Sequence, residues 1–123
     1  MILDHIGLNV RDFFAAQEFF MQALAPLGIE VVKRGEGWAM MGRDNRPQFW
    51  FGAMGPAPGP LHLAFAARNR EEVRRFYQAA MAAGGKDNGA PGLRVHYHAN
   101  YYGAFVIGPD GHNIEAVYHG ADG

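Results

Sequence analysis

The chain has 123 residues, of which 49% are hydrophobic and 19% charged, with a formal net charge of −1 and no cysteine. Such a composition is globular, and the length suits one compact unit or two very small modules sharing a core. The balanced charge offers no field to draw in nucleic acid or an anionic membrane, and the missing thiols exclude disulfides, thiolate metal sites and cysteine nucleophiles.

The opening Met1-Ile-Leu-Asp-His5 lacks the basic start and long apolar run of a secretion signal. No apolar stretch approaches the roughly 20 residues that cross a bilayer. A cytoplasmic location without membrane or nucleic-acid partners is therefore expected. Residues 5–12 form a short alternating run, as a strand does. Residues 15–27 then show helical spacing through Phe19, Phe20, Ala23, Leu24 and Leu27, and Gly28 ends the pattern. Strand-like runs follow at 30–33, 37–41 and 48–52, with Gly42-Arg43-Asp44-Asn45 as a turn. Residues 52–60, with three glycines and three prolines, suit a connector.

The second half begins the same way. Residues 62–69 read as a strand and its exit. Residues 70–83 show helical spacing through Val73, Phe76, Tyr77, Ala80 and Met81, and Gly84 and Gly85 end it. Arg68, Arg70, Arg74 and Arg75, interleaved with Glu71 and Glu72, read as a solvated helix face. Strands are predicted at 93–98, 102–107 and 113–119, with Pro109-Asp110-Gly111 as a turn that leaves His112 exposed. The offset between the halves is constant: His5 to His62, Phe19 to Phe76, Leu24 to Met81 and Gly28 to Gly85 are each separated by 57 positions. Each half therefore reads βαβββ. The expected fold is α+β: a single domain of two tandem modules, residues 1–52 and 61–119, joined by 52–60. A module of that size has a poor core alone, so sheets should pair, and a homodimer is expected.

In a duplicated fold, equivalent positions converge on a pseudo-twofold axis. His5 and His62 are equivalent and sit near the start of their first strands, a natural clamp for a metal. Glu115 lies on the last strand amid Ile114, Ala116 and Val117, where a carboxylate is costly to bury without a partner or a cation. Alternation back through the final hairpin turns Gly103, Phe105 and Tyr101 toward the same place. His98 and Tyr101 are candidate acid–base groups there, and Gln48, Trp50 and Phe105 are candidate substrate contacts.

These stretches resemble the vicinal oxygen chelate superfamily, the glyoxalase, bleomycin-resistance and dioxygenase proteins, along nearly the whole chain. His5-Ile-Gly-Leu-Asn-Val-Arg-Asp12 and His62-Leu-Ala-Phe65 look like its first-strand signatures. Residues 101–117 are similar to its Phe-x-Asp-Pro-Asp-Gly-x-x-Ile-Glu ending, with Gly108 where the first Asp usually stands. The resemblance implies that His5, His62 and Glu115 bind one divalent ion (Zn, Ni, Mn or Fe) that chelates a small oxygen-rich substrate. The fourth ligand of glyoxalase I is not evident. Aligning Asp44 with Asp110 sets Phe49 opposite Glu115, and a one-residue shift brings in Gln48 or Trp50, of which only Gln48 could ligate. A glyoxalase-type lyase or an extradiol-type dioxygenase is expected. The alternatives are a fosfomycin-resistance-type thiol transferase and a metal-free drug-binding protein of bleomycin-resistance type.

Overall fold

The structure is a computed structural model and describes residues 3–53, 55–56 and 59–121. In the first module β1 (Ile6–Asn9) leads into α1 (Phe13–Leu24). Asp12 caps that helix, its carboxylate accepting the Ala15 N–H at 3.1 Å. A 3₁₀ turn at Ala25–Leu27 prolongs the helix, and Gly28, at φ 76°, turns the chain out. The predicted helix over 15–27 is thus an α-helix that starts earlier and tightens at Pro26. Next come β2 (Glu30–Gly35), β3 (Trp38–Arg43) and β4 (Arg46–Gly52). Asp44 and Asn45 both have positive φ, 52° and 60°, as the two-residue hairpin between β3 and β4 requires.

The second module repeats the order with β5 (His62–Ala66), α2 (Arg70–Ala82), β6 (Lys86–Leu93), β7 (Tyr102–Ile107) and β8 (Asn113–Tyr118). Asn69 caps α2, accepting the Glu72 N–H at 2.8 Å. The two sheets have the same plan, β1-β4-β3-β2 and β5-β8-β7-β6. In each, the first strand runs parallel to the last, and the other pairs are antiparallel. Part of the connector expected at 52–60 lies outside the described residues. No helix among the described residues is long and apolar enough to cross a membrane.

One face of each sheet packs on the two helices in a single apolar cluster. It contains Leu8, Ala39, Met41, Phe49 and Phe51 from the first sheet, and Ala104, Val106, Ile114 and Ala116 from the second. Phe20 on α1 is its hub, fully buried, with ring centroids 4.9 Å from Phe49 and 5.1 Å from Phe51. Strand alternation therefore turns His62, Gly103, Phe105 and Glu115 to the opposite face, away from the helices.

Three expectations need correcting. The strand expected at 93–98 does not form beyond Leu93. Instead β6 occupies Lys86–Leu93, and its ladder with β7 shifts register twice, between Asp87 and Gly89 and between Gly89 and Gly92. Pro91 and the glycines hid it. Residues 94–101 bond to themselves: the Arg94 N–H to the Tyr101 carbonyl, Tyr97 N–H to Arg94, and Tyr101 N–H to His98. His112 is fully buried rather than exposed, its Nδ1 accepting the Leu61 N–H at 2.9 Å. Burial holds its pKa below the ordinary imidazole value. The basic stretch at 68–75 is not wholly solvated either. Glu72 is buried and bonded to Arg68 at 2.8 Å, with the Arg43 guanidinium 3.9 Å away. Burial would raise the Glu72 carboxyl, but the Arg68 bonds prevail and hold it below the usual range.

Phe20→Ala should empty the hub and cost about 3–5 kcal/mol of stability. Denaturant unfolding should show a lower midpoint at unchanged slope.

Candidate active site

The site is built on the helix-free face of β8. Glu115 is fully buried there, and both carboxylate oxygens have partners. His62 Nε2 lies 2.7 Å from Oε1, and the Tyr101 hydroxyl donates a short hydrogen bond to Oε2. Parallel pairing brings His62 alongside Asn113, so its ring reaches the next residue on the same face of β8, Glu115, two positions further along. Tyr101 arrives from the self-bonded loop at 94–101, which covers this end of the sheet. Phe105, paired with Glu115 across the β7–β8 ladder, sets its ring 6.1 Å from the His62 ring. A side chain at Gly103 would have its Cβ 3.2 Å from Glu115 Oε2 and from the Tyr101 ring, so this glycine keeps the approach clear. Burial, the largest effect, and the bond to Glu115 push the Tyr101 phenol well above the ordinary tyrosine value; the nearby Arg94 charge opposes them weakly.

His5 stands apart from this trio. Its Nδ1 is 2.8 Å from Asp4 Oδ1, and its side chain is 59% exposed. It shares with His62 a cavity of about 230 Å³, walled also by Gln48, Phe49 and Phe65. Among the described residues, no group of three or more His, Cys, Asp or Glu side chains stands together as a metal site. Two of the three candidate ligands are adjacent, and the third lines the neighbouring wall. The 2.7 Å gap between His62 and Glu115 suits two ligands of one ion as well as a hydrogen bond, given metal–ligand bonds of about 2.0–2.2 Å. The donor types would suit a divalent transition ion held by His62, Glu115 and His5.

Strand register corrects the alignment of the two modules. Gly7 pairs with Trp50 as Ala64 pairs with Glu115, whereas Phe49 matches Ile114. Trp50, not Phe49, thus occupies the position equivalent to Glu115. Phe49 faces the core. The Trp50 indole lies over Gly7, where a Cβ would come within 2.5 Å of it. Gln48 is the counterpart of Asn113 and is exposed.

The chain matches the profile of the Glyoxalase/Bleomycin resistance protein/Dioxygenase superfamily over residues 2–116. It belongs to that superfamily. Solved structures agree in fold. A glyoxalase/bleomycin resistance protein from Albidiferax ferrireducens T118 is 24% identical, with a TM-score of 0.83 over 98% of this chain and 100% of that one. A glyoxalase-related enzyme from Fulvimarina pelagi is 20% identical, with a TM-score of 0.72 over 98% and 94%. A family enzyme from Burkholderia phytofirmans PsJN is 18% identical, with a TM-score of 0.71 over 94% and 97%. Among curated proteins, none matches the sequence.

Within this superfamily fold, His98 sits beside the Tyr101 ring, at 5.5 Å between centroids, and makes no bond to Glu115. The Asn100 N–H donates to His98 Nδ1 at 3.1 Å, so in the neutral ring Nε2 carries the proton toward His119 Nδ1, 2.8 Å away. Sequence reasoning passed over His119. Alternation from Glu115 through Val117 places it on the same face and could have found it. Arg94, in the same stretch as His98, was not singled out.

Tyr101 should remain protonated well above pH 10. Its folded pKa is raised, so the stability it contributes is complete below the unfolded value and is lost as pH rises through the folded one. Phenolate absorbance should show one tyrosine titrating late or only on unfolding. Tyr101→Phe should abolish that component and flatten the alkaline limb of the stability profile.

Proposed function

We propose that this superfamily member is a metal-dependent enzyme acting on a small oxygen-rich molecule. One divalent ion is held by His62, Glu115 and His5. The observation that carries this reading is the buried carboxylate of Glu115, bonded to an imidazole on one side and a phenol on the other beside a cavity that His5 also walls. When bound, the ion supplies Lewis-acid stabilisation for charge developing on neighbouring substrate oxygens. The Tyr101 hydroxyl holds a proton next to Glu115 and orients the carboxylate. Phe105 limits water on one flank of the His62 ring. The His98–His119 pair packs against the Tyr101 ring, which places His98 as an acid–base group at the rim of the site. A glyoxalase-like lyase or an extradiol-type dioxygenase suits this set. Pairing of two copies belongs to the same reading, since Phe14 and Val95 leave large apolar side chains in water.

A second reading has its own observation. Both Glu115 oxygens already have protein partners, and His5 stands away from them. A metal-free binding protein of bleomycin-resistance type would look the same.

Elemental analysis separates the two. The first reading expects about one divalent ion per chain, lost in His62→Ala and Glu115→Ala and sharply weakened in His5→Ala. Full stoichiometry in all three variants removes the proposed site, and metal-free wild-type protein favours the second reading. Assays with methylglyoxal plus glutathione, catechols under air, and fosfomycin plus thiols then divide the reactions.

A further inference from the structure

On the other side of His62 from the His5 cavity lies a second, more open basin of about 400 Å³. Its lining includes His62, Arg94, His96, Phe105 and Asn113, and no acidic residue is among the described residues that line it. Arg94 is the one full positive charge in that lining. Its Nη1 donates to the Gly92 carbonyl at 2.9 Å and its Nη2 to the Ala90 carbonyl at 2.8 Å. The guanidinium lies over the Phe105 ring, 5.2 Å from the centroid. Two carbonyls and one aromatic face fix it in place, yet no carboxylate among the described residues pairs with it. Arg11, Arg43, Arg68 and Arg74 each lie within 4 Å of a carboxylate; of the arginines that do not, Arg94 is the one that lines this basin.

A guanidinium has five N–H donors in a fixed fork, and two bonds to carbonyls leave others to spare. A flexible surface arginine loses side-chain entropy when it captures a ligand, whereas one already held by its own backbone loses little. The irregular course of β6 serves this arrangement. The Ala90 and Gly92 carbonyls lie where its register with β7 shifts, and both are taken by the Arg94 side chain.

We propose that Arg94 is the anion anchor of the site and that the substrate is a small organic acid with an oxygen next to its carboxylate, a 2-hydroxy or 2-oxo acid. The carboxylate pairs with the Arg94 fork, and the adjacent oxygen lies against His62, the residue of the reaction centre that lines this basin. This rests on His62 and Glu115 being the reaction centre proposed above. Tyr97 and Phe105 give the basin aromatic walls, so an aryl or alkyl group on the acid has a place to pack.

The test uses mandelate, an aromatic 2-hydroxy acid, and its neutral amide mandelamide, titrated into the purified protein by NMR. Mandelate should saturate, shifting the Gly89, Tyr97 and Phe105 amides, and should bind at least about ten-fold more tightly than mandelamide. Arg94→Gln should erase that preference and leave mandelamide affinity and metal content unchanged. Arg94→Lys, which keeps the charge without the fork, should fall between. Unchanged circular dichroism and melting temperature in both variants show that β6 is intact. Equal affinity for acid and amide, or an acid preference that survives Arg94→Gln, overturns the proposal. Failure of the reaction-centre reading shows separately, as metal retained in Glu115→Ala.

Discussion

A fully buried carboxylate organises one end of this protein. Glu115 is removed from water on a strand whose neighbours are apolar, and an unpaired charge there would be among the costliest groups in the fold. Two side chains distant in sequence meet the need: His62 from the start of β5, and Tyr101 from the loop before β7. The parallel β5–β8 pairing, the glycine at 103 and the self-bonded turn at 94–101 all serve to bring those partners in. What stabilises the carboxylate is also what could perform chemistry on a ligand, so structure and function compete for the same two hydrogen bonds.

The duplication sharpens this contrast. Both modules share strand order, helix placement and core pattern, yet the position of Glu115 is filled by Trp50 in the first. An indole needs no charge partner and simply covers Gly7. The symmetry that makes the fold is therefore broken at the candidate site. One module contributes a carboxylate, an imidazole and a phenol. The other contributes an aromatic wall and, from its entry segment, His5.

Much of this was legible in the residues. The 57-residue offset carried the duplicated architecture, and residues 102–107 appear as β7 with the bounds the alternation implied. Asp44 and Asn45 could be read as a turn because their side chains tolerate positive φ. The grouping of His62 with Glu115 was implied by the resemblance, and the parallel pairing of β5 with β8 brings the two together. What could not be read depended on long-range contacts. β6 is a strand through pairing with β7, against its own glycine and proline content. His112 is buried because the Leu61 amide needs an acceptor. The modules were aligned on their turns, Asp44 on Asp110, but the β3–β4 ladder contains a register shift between Met41 and Gly42, and counting from the turn missed the Trp50 match by one residue.

The broken course of β6 also bears on how the molecule behaves in a crowd. β6 is one of the two outer strands of its sheet, with nothing hydrogen-bonded beyond it in the strand order. A long, regular outer strand is a template on which other chains can polymerise. Here Pro91 lacks an amide hydrogen, Gly89 is at φ 151°, and two carbonyls are claimed by a guanidinium. An incoming strand would find no continuous row of donors and acceptors. The flank is thus closed to fibril growth, yet remains open to molecules small enough to sit between the arginine and the imidazole.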